Sequence, residues 1–157
     1  MNISQKTIQE NYEGGDKIKE KKEDNYLLRF DGASKGNPGI SGSGAVLYLN
    51  DEEIWSTSIY LEQKQTNNYA EYVGVLIGLQ EAVNRCIKKL HVEGDSMLVI
   101  KQLNGEWKVK SENLIKVYKK CNKLAKKISK ITFSHIYRDN NKRADELANM
   151  AILNKKK

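Results

Sequence analysis

The chain has 157 residues, a length that favours one domain able to bury a core without staples. Its two cysteines, Cys86 and Cys121, are too far apart and too few for a disulfide framework or a zinc site, and no apolar run reaches membrane-spanning length. A formal net charge of +7 fits an anionic partner, but it fits a lysine-rich source equally well and gains meaning only beside a site.

Residues 1–24 are polar and charged, with no signal-peptide core. They are expected to form a mobile charged extension on an intracellular, soluble protein with no membrane association. Tyr26, Leu28 and Phe30 then alternate, which predicts a half-buried strand over 26–31 ending on Asp31. A turn rich in glycine follows (Gly32, Gly36 and Gly39). Strands are predicted over 42–49 and 53–61, the latter with Trp55, Thr57, Ile59 and Leu61 on one face. Short turns between these three strands make an antiparallel meander.

Thr66 or Asn67 can cap a long helix, whose apolar period turns Ala70, Val73, Leu76, Ile77, Gln80 and Val83 inward. Gly74 and Gly78 give it a small-residue face suited to close packing on the sheet, and Glu71 is expected in its first turn. A short strand over 90–95 ends on Asp95, and Ser96 opens a helix over 97–103. After a loop at 104–110, a helix over 113–128 turns Leu114, Val117, Tyr118, Cys121, Leu124, Ala125 and Ile128 inward and its lysines outward. Both cysteines sit in helical patterns and read as buried small hydrophobes. A strand over 131–136, a polar loop and a helix over 142–154 follow, with Asp145 in that helix's first turn and a lysine tail at 155–157. The order βββ–α–β–α–α–β–α predicts an α/β protein: a five-stranded mixed sheet with helices on its faces.

Asp31 and Asp95 are each expected to end a strand, and Glu71 and Asp145 each to lie in a helix's first turn. Each has an ordinary job available, as a turn residue, an N-cap or a helix-dipole carboxylate. Taken jointly they predict a cluster at one sheet edge. Clustered carboxylates repel, and divalent cations relieve that repulsion. Hard oxygen ligands select Mg²⁺ or Mn²⁺, and four carboxylates can hold two ions roughly 3.5–4 Å apart, the geometry of two-metal phosphoryl transfer.

The segment Asp31-Gly32-Ala33-Ser34-Lys35-Gly36-Asn37-Pro38-Gly39 resembles the first motif of type 1 ribonuclease H. Thr66-Asn67-Asn68-Tyr69-Ala70-Glu71-Tyr72 resembles the second, Glu93-Gly94-Asp95-Ser96 the third, and Asn141-Lys142-Arg143-Ala144-Asp145-Glu146-Leu147-Ala148 the fourth. The ordered set covers nearly the whole chain outside its ends. The resemblance implies the ribonuclease H-like fold and an endonuclease that cuts the RNA strand of RNA–DNA hybrids, leaving 5′-phosphate and 3′-hydroxyl ends. It implies a metal-binding, catalytic set of Asp31, Glu71, Asp95 and Asp145, holding two Mg²⁺ ions with Mn²⁺ as substitute. It places Asn37, Asn67 and Asn68 along the minor groove and Thr66 at a DNA phosphate, with Gly32 letting backbone approach the sugars.

The chain departs from the bacterial pattern in two places. The segment 104–113 is too short for a basic protrusion, which aligns it with the compact archaeal- and plant-like branch. Trp107 and Lys108 either replace that grip in part or, for Trp107, pack the loop down; packing is the expectation. Weaker hybrid affinity, or tolerance of double-stranded RNA, follows from the shortening. In the loop before Asp145, Arg138 matches the compact branch, whereas His135 matches bacterial spacing but falls within a predicted strand; Arg138 is expected nearer the site. Two rivals remain, a non-catalytic hybrid- or duplex-binding module and a DNA-cutting member of the superfamily. Monomer is the default expectation.

Overall fold

The computed structural model describes residues 23–155, so all but the last two residues of the extension expected over 1–24, and the last two lysines of the tail, lie outside it. The elements are β1 (Tyr26–Gly36), β2 (Gly39–Leu49), β3 (Glu52–Gln65), α1 (Asn67–Asn84), β4 (Lys89–Gly94), α2 (Met97–Leu103), α3 (Glu112–Ala125), β5 (Lys130–His135) and α4 (Lys142–Lys155). They form one sheet ordered β3-β2-β1-β4-β5. The β1–β2 and β2–β3 pairs are antiparallel, while β4 joins β1 and β5 in parallel. The predicted meander and mixed sheet are therefore present.

Alternation along the strands sorts side chains to the two faces. Leu28, Phe30, Ala45 and Leu47 join Val75, Leu79, Val99 and Val117 in the main core under α1, α2 and α3. Val46 points the other way, to Ala144 and Leu147 of α4. Burying these side chains contributes roughly 1.5–3 kcal/mol for each large aliphatic or aromatic residue.

The hairpin corrects the first expectation. Most of the glycine-rich segment is paired strand: Gly32, Ala33 and Ser34 lie opposite Ser43, Gly42 and Ser41, and the turn shrinks to Asn37-Pro38. Small residues on both strands permit this, because nothing projects to keep the helices off.

A second correction concerns α1. Its buried residues include Tyr72, Val75, Leu79 and Ala82, whereas Gln80 is exposed and Leu76, Ile77 and Val83 are only half-buried. The helix packs on the sheet and on α3 at once, so its buried arc is broader than one apolar stripe. Gly74 and Gly78 set the sheet-facing side, as their spacing predicted. A Cβ on Gly74 would lie 2.9 Å from the Gly44 carbonyl oxygen, and one on Gly78 2.5 Å from the Leu28 side chain.

Cys121 is buried, but Cys86 is exposed. Cys86 falls just beyond α1 in a left-handed turn (φ 58°), outside the helix that its sequence context predicts.

Candidate active site

Because β1 and β4 run parallel and in register up to Phe30 and Gly94, the next residues, Asp31 and Asp95, emerge side by side. The capping role open to Asp95 is taken by Ser96, whose hydroxyl accepts from the Val99 N–H at 3.3 Å. Thr66 caps α1, accepting from the Tyr69 N–H at 3.2 Å.

Glu71 does not lie in the first turn of α1, as expected from sequence; it is the fifth helical residue, and that first turn carries no acid. Helix-dipole compensation therefore does not account for it. Glu71 is 8% exposed and points at the sheet end. Gly32 permits the approach, since a Cβ there would lie 2.3 Å from the Glu71 amide nitrogen.

Single oxygens of Asp31, Glu71 and Asp95 lie within 4.8 Å of one another. Asp145, in the first turn of α4, stands outside this triad but lines the same cleft of about 280 Å³. The structure thus gathers three of the four predicted carboxylates and sets the fourth on the cleft wall. Asn149, one turn further on, donates to the Asp145 backbone oxygen at 2.9 Å and to its carboxylate at 3.2 Å.

Burial pushes the Asp31 carboxyl up from 3.8 to about 7, Asp95 adds to the rise, and the Gly32 N–H opposes it. That N–H donates to Asp31 Oδ1 at 2.9 Å. Burial, followed by Asp31 and Asp95, also holds Glu71 well above the ordinary carboxylate range. Among the described residues, no lysine or arginine forms an ion pair with the triad, and the buried Glu71 Oε1 has no hydrogen-bond partner. An all-oxygen donor set with an orphaned buried oxygen fits a hard divalent cation.

The predicted substrate residues fall into two adjoining clefts. Gly32 and Asn67 line the carboxylate cleft, as does Arg138. The Arg138 side chain is 80% exposed, with Nη2 4.0 Å from Asp145 Oδ1. Asn37, Thr66, Asn68 and Lys108 line a neighbouring groove of about 380 Å³. The Asn67 N–H donates to Asn37 Oδ1 at 3.1 Å, which stitches the β1–β2 turn to the start of α1.

His135 ends β5 with its ring against Tyr137 at 5.9 Å, and it lines neither cleft. Trp107 is 47% exposed, which corrects the expectation that it packs the loop down. The loop is held without it: the Glu106 and Trp107 N–H groups both donate to the Lys101 carbonyl, and Gln102 donates to that of Lys108.

Sequence reasoning assigned no role to Asn113, Asn141 or Asn149. Asn113 donates to Thr66 Oγ1 at 3.3 Å, a contact from α3 that no local pattern reveals. Asn149 was findable from its four-residue spacing after Asp145. Asn141 stands in the fourth motif, and only the fold brings it to Asp95.

Residues 29–151 match the family model described as reverse transcriptase-like. A bifunctional protein of Mycobacterium tuberculosis is 39% identical over 131 residues, covering 80% of this chain and 35% of that protein. The chain thus spans about a third of the length of that curated relative. A ribonuclease H of Pseudomonas fluorescens is 35% identical over 145 residues, covering 82% of this chain and 91% of that one. The solved structure of LC11-RNase H1 in complex with RNA/DNA hybrid superposes with a TM-score of 0.79 at 30% identity, covering 84% of this chain and 99% of that one. With four ordered motifs on the matching elements, this chain belongs to the type 1 ribonuclease H family.

Proposed function

We propose that the chain is an endonuclease that hydrolyses the RNA strand of RNA–DNA hybrids and leaves 5′-phosphate and 3′-hydroxyl ends. The observation that carries this reading is the carboxylate triad, with Asp31 and Glu71 buried and no lysine or arginine paired to it among the described residues, beside a groove lined by Asn37, Thr66 and Asn68. A duplex-binding module has no need of a repelling acidic cluster. Among the described residues no helix is long and apolar enough to cross a membrane.

Asp31, Glu71, Asp95 and Asp145 would hold two Mg²⁺ ions, with Mn²⁺ as substitute. When bound, such ions ready a water for in-line attack and stabilise the departing 3′-oxygen. The remaining work falls to the chain. Asn37, Asn67 and Asn68 donate to and accept from sugar and base edges in the minor groove without demanding one base. Ribose 2′-hydroxyls on one strand alone tell that groove which strand is RNA. Thr66, tied to Asn113, holds a phosphate of the DNA strand, with Lys108 on the same groove. Gly32 lets the strand backbone come close to the sugars. Arg138 swings a solvated guanidinium over the cleft to hold a phosphate; it is a permanent cation and not a base. His135, at the end of β5, is left outside the chemistry.

The test uses a hybrid with end-labelled RNA, in Mg²⁺, Mn²⁺ or chelator, against duplex DNA, double-stranded RNA and single-stranded RNA. Metal-dependent internal cuts in the hybrid RNA are expected, with weak cutting of double-stranded RNA. Binding without cuts would replace the enzyme by a binding module, and cutting of DNA would overturn the substrate.

A further inference from the structure

Asn141 sits where the fourth motif enters α4, and its side chain does an unusual job. An asparagine immediately before a helix ordinarily caps it, its side-chain oxygen accepting from an amide two or three residues on. Here Asn141 is 1% exposed, and its Oδ1 is buried without a hydrogen-bond partner. The amide turns inward instead. Nδ2 donates to the Phe30 carbonyl at 2.9 Å and to Asp95 Oδ2 at 3.0 Å. Both partners are pure acceptors, so only the NH₂ end can face them, and the orientation has no flipped alternative. The Asn141 backbone carbonyl meanwhile accepts the Asp145 N–H at 3.1 Å. One residue therefore touches the β1 backbone next to Asp31, the carboxylate of Asp95 and the turn that carries Asp145.

Resting on the metal-dependent reading above, we propose that Asn141 is a positioning residue that sets how Asp95 presents itself to a divalent cation. By holding Oδ2, it leaves Oδ1 as the freer donor and fixes the carboxylate plane against β1 at Phe30. A capping bond is forgone and a buried acceptor left unpaired to keep that donor in place. Partners of this kind, behind a ligand, typically change metal affinity by about 10–100-fold when removed.

The experiment is Mn²⁺ binding by isothermal titration calorimetry, without nucleic acid, to the parent, N141A, D95N and D95N/N141A proteins. N141A is expected to weaken Mn²⁺ binding by about 10–100-fold, and the double variant to bind no more weakly than D95N. A folded N141A that melts lower but binds Mn²⁺ within threefold of the parent would reduce Asn141 to a structural pin and overturn the proposal alone. A parent that binds no divalent cation would overturn the metal reading and this proposal with it. A second measurement does not depend on the folding of N141A: the assigned Asn141 side-chain amide in a nitrogen-15 spectrum of the parent. It is expected to shift along the Mg²⁺ titration in the parent and to stay still in D95N. An unmoved amide in a parent whose Asp95 signal moves would overturn the proposal.

Discussion

Two neighbouring places on one sheet face make opposite use of charge. Arg29 and Glu93 are cross-strand partners on β1 and β4, bonded at 3.0 Å. Arg29 also lies over the Tyr48 ring at 5.7 Å, and His91 Nε2 approaches Glu93 at 3.4 Å. Arg29, His91 and Glu93 line the larger concavity, about 790 Å³, where opposite charges meet. Two residues further along the same strands, on the same face, stand Asp31 and Asp95. There burial raises the cost of charge, and like charge meeting like adds to it. The smaller cleft is thus the one that holds uncompensated charge, so size alone would locate the wrong place. A single strand pair can close a structural ion pair and, one step later, open a site that needs a cation.

The sharpest break of that contrast is in turnover. D31N and D95N are expected to lower hybrid cleavage by at least about 10³-fold, while R29A changes it by less than about threefold. Single-turnover cleavage of labelled hybrid at saturating Mg²⁺ measures both. Equal losses at the two steps would mean that the whole row, and not the carboxylate end alone, serves the chemistry.

Next in size comes the spacing that lets Glu71 join the acidic step. G32A places a methyl 2.3 Å from the Glu71 amide nitrogen and 2.5 Å from the Ala70 carbonyl carbon, so strand and helix must part. We expect a loss of about 1–3 kcal/mol in stability and roughly 100-fold in turnover. Denaturant unfolding and the cleavage assay together measure it; a full-rate G32A would show that α1 need not sit so close.

The acidic step should also be visible in stability against pH. The Asp31 carboxyl rises from 3.8 to about 7 on folding, so between those values the native state holds a proton that the unfolded chain has lost. Its stabilising contribution is full below the unfolded value and is lost as pH rises through the folded one. Glu71 shifts in the same direction. In chelator, the melting temperature should therefore fall between pH 5 and 8, and D31N should flatten the fall. At pH 8 the variant should melt about 5 °C above the parent, a gain of roughly 2 kcal/mol. Saturating Mg²⁺ should close most of that gap in the parent.

Part of this was legible beforehand, for physical reasons. Strand alternation at Tyr26, Leu28 and Phe30, and the glycine pair in α1, report local packing, so the element order and the close α1–sheet contact could be read. The four acidic positions stood out because alternation and capping signals put each at an element's end or start, although β1 runs on to Gly36 and Glu71 lies in the second turn of α1. What escaped depends on contacts between distant segments. The second-turn position of Glu71 hung on which residue caps α1, and the inward face of α1 on packing against two neighbours. The register of β1 on β4, which creates both charged steps, is set by parallel pairing across a helix. Asn141 was hidden for the opposite reason: its local context offered a sufficient capping job that the folded chain declines.

The smallest effect lies at the compensated step. Arg29 and Glu93 keep 30% and 19% of their side-chain exposure, so solvent and salt screen much of their attraction. A double-mutant cycle on R29A and E93A should return a coupling below about 1 kcal/mol at 0.15 M salt, shrinking further at 1 M. Either single change should leave Mn²⁺ affinity within about threefold, because the pair sits one step behind the site. The cycle also probes the range of the field. If the Arg29 charge reached Asp31, R29A would raise the Asp31 carboxyl further and steepen the fall of stability with pH. A slope equal to that of the parent would confine the compensation to its own step and leave the acidic end to be answered by the cation alone.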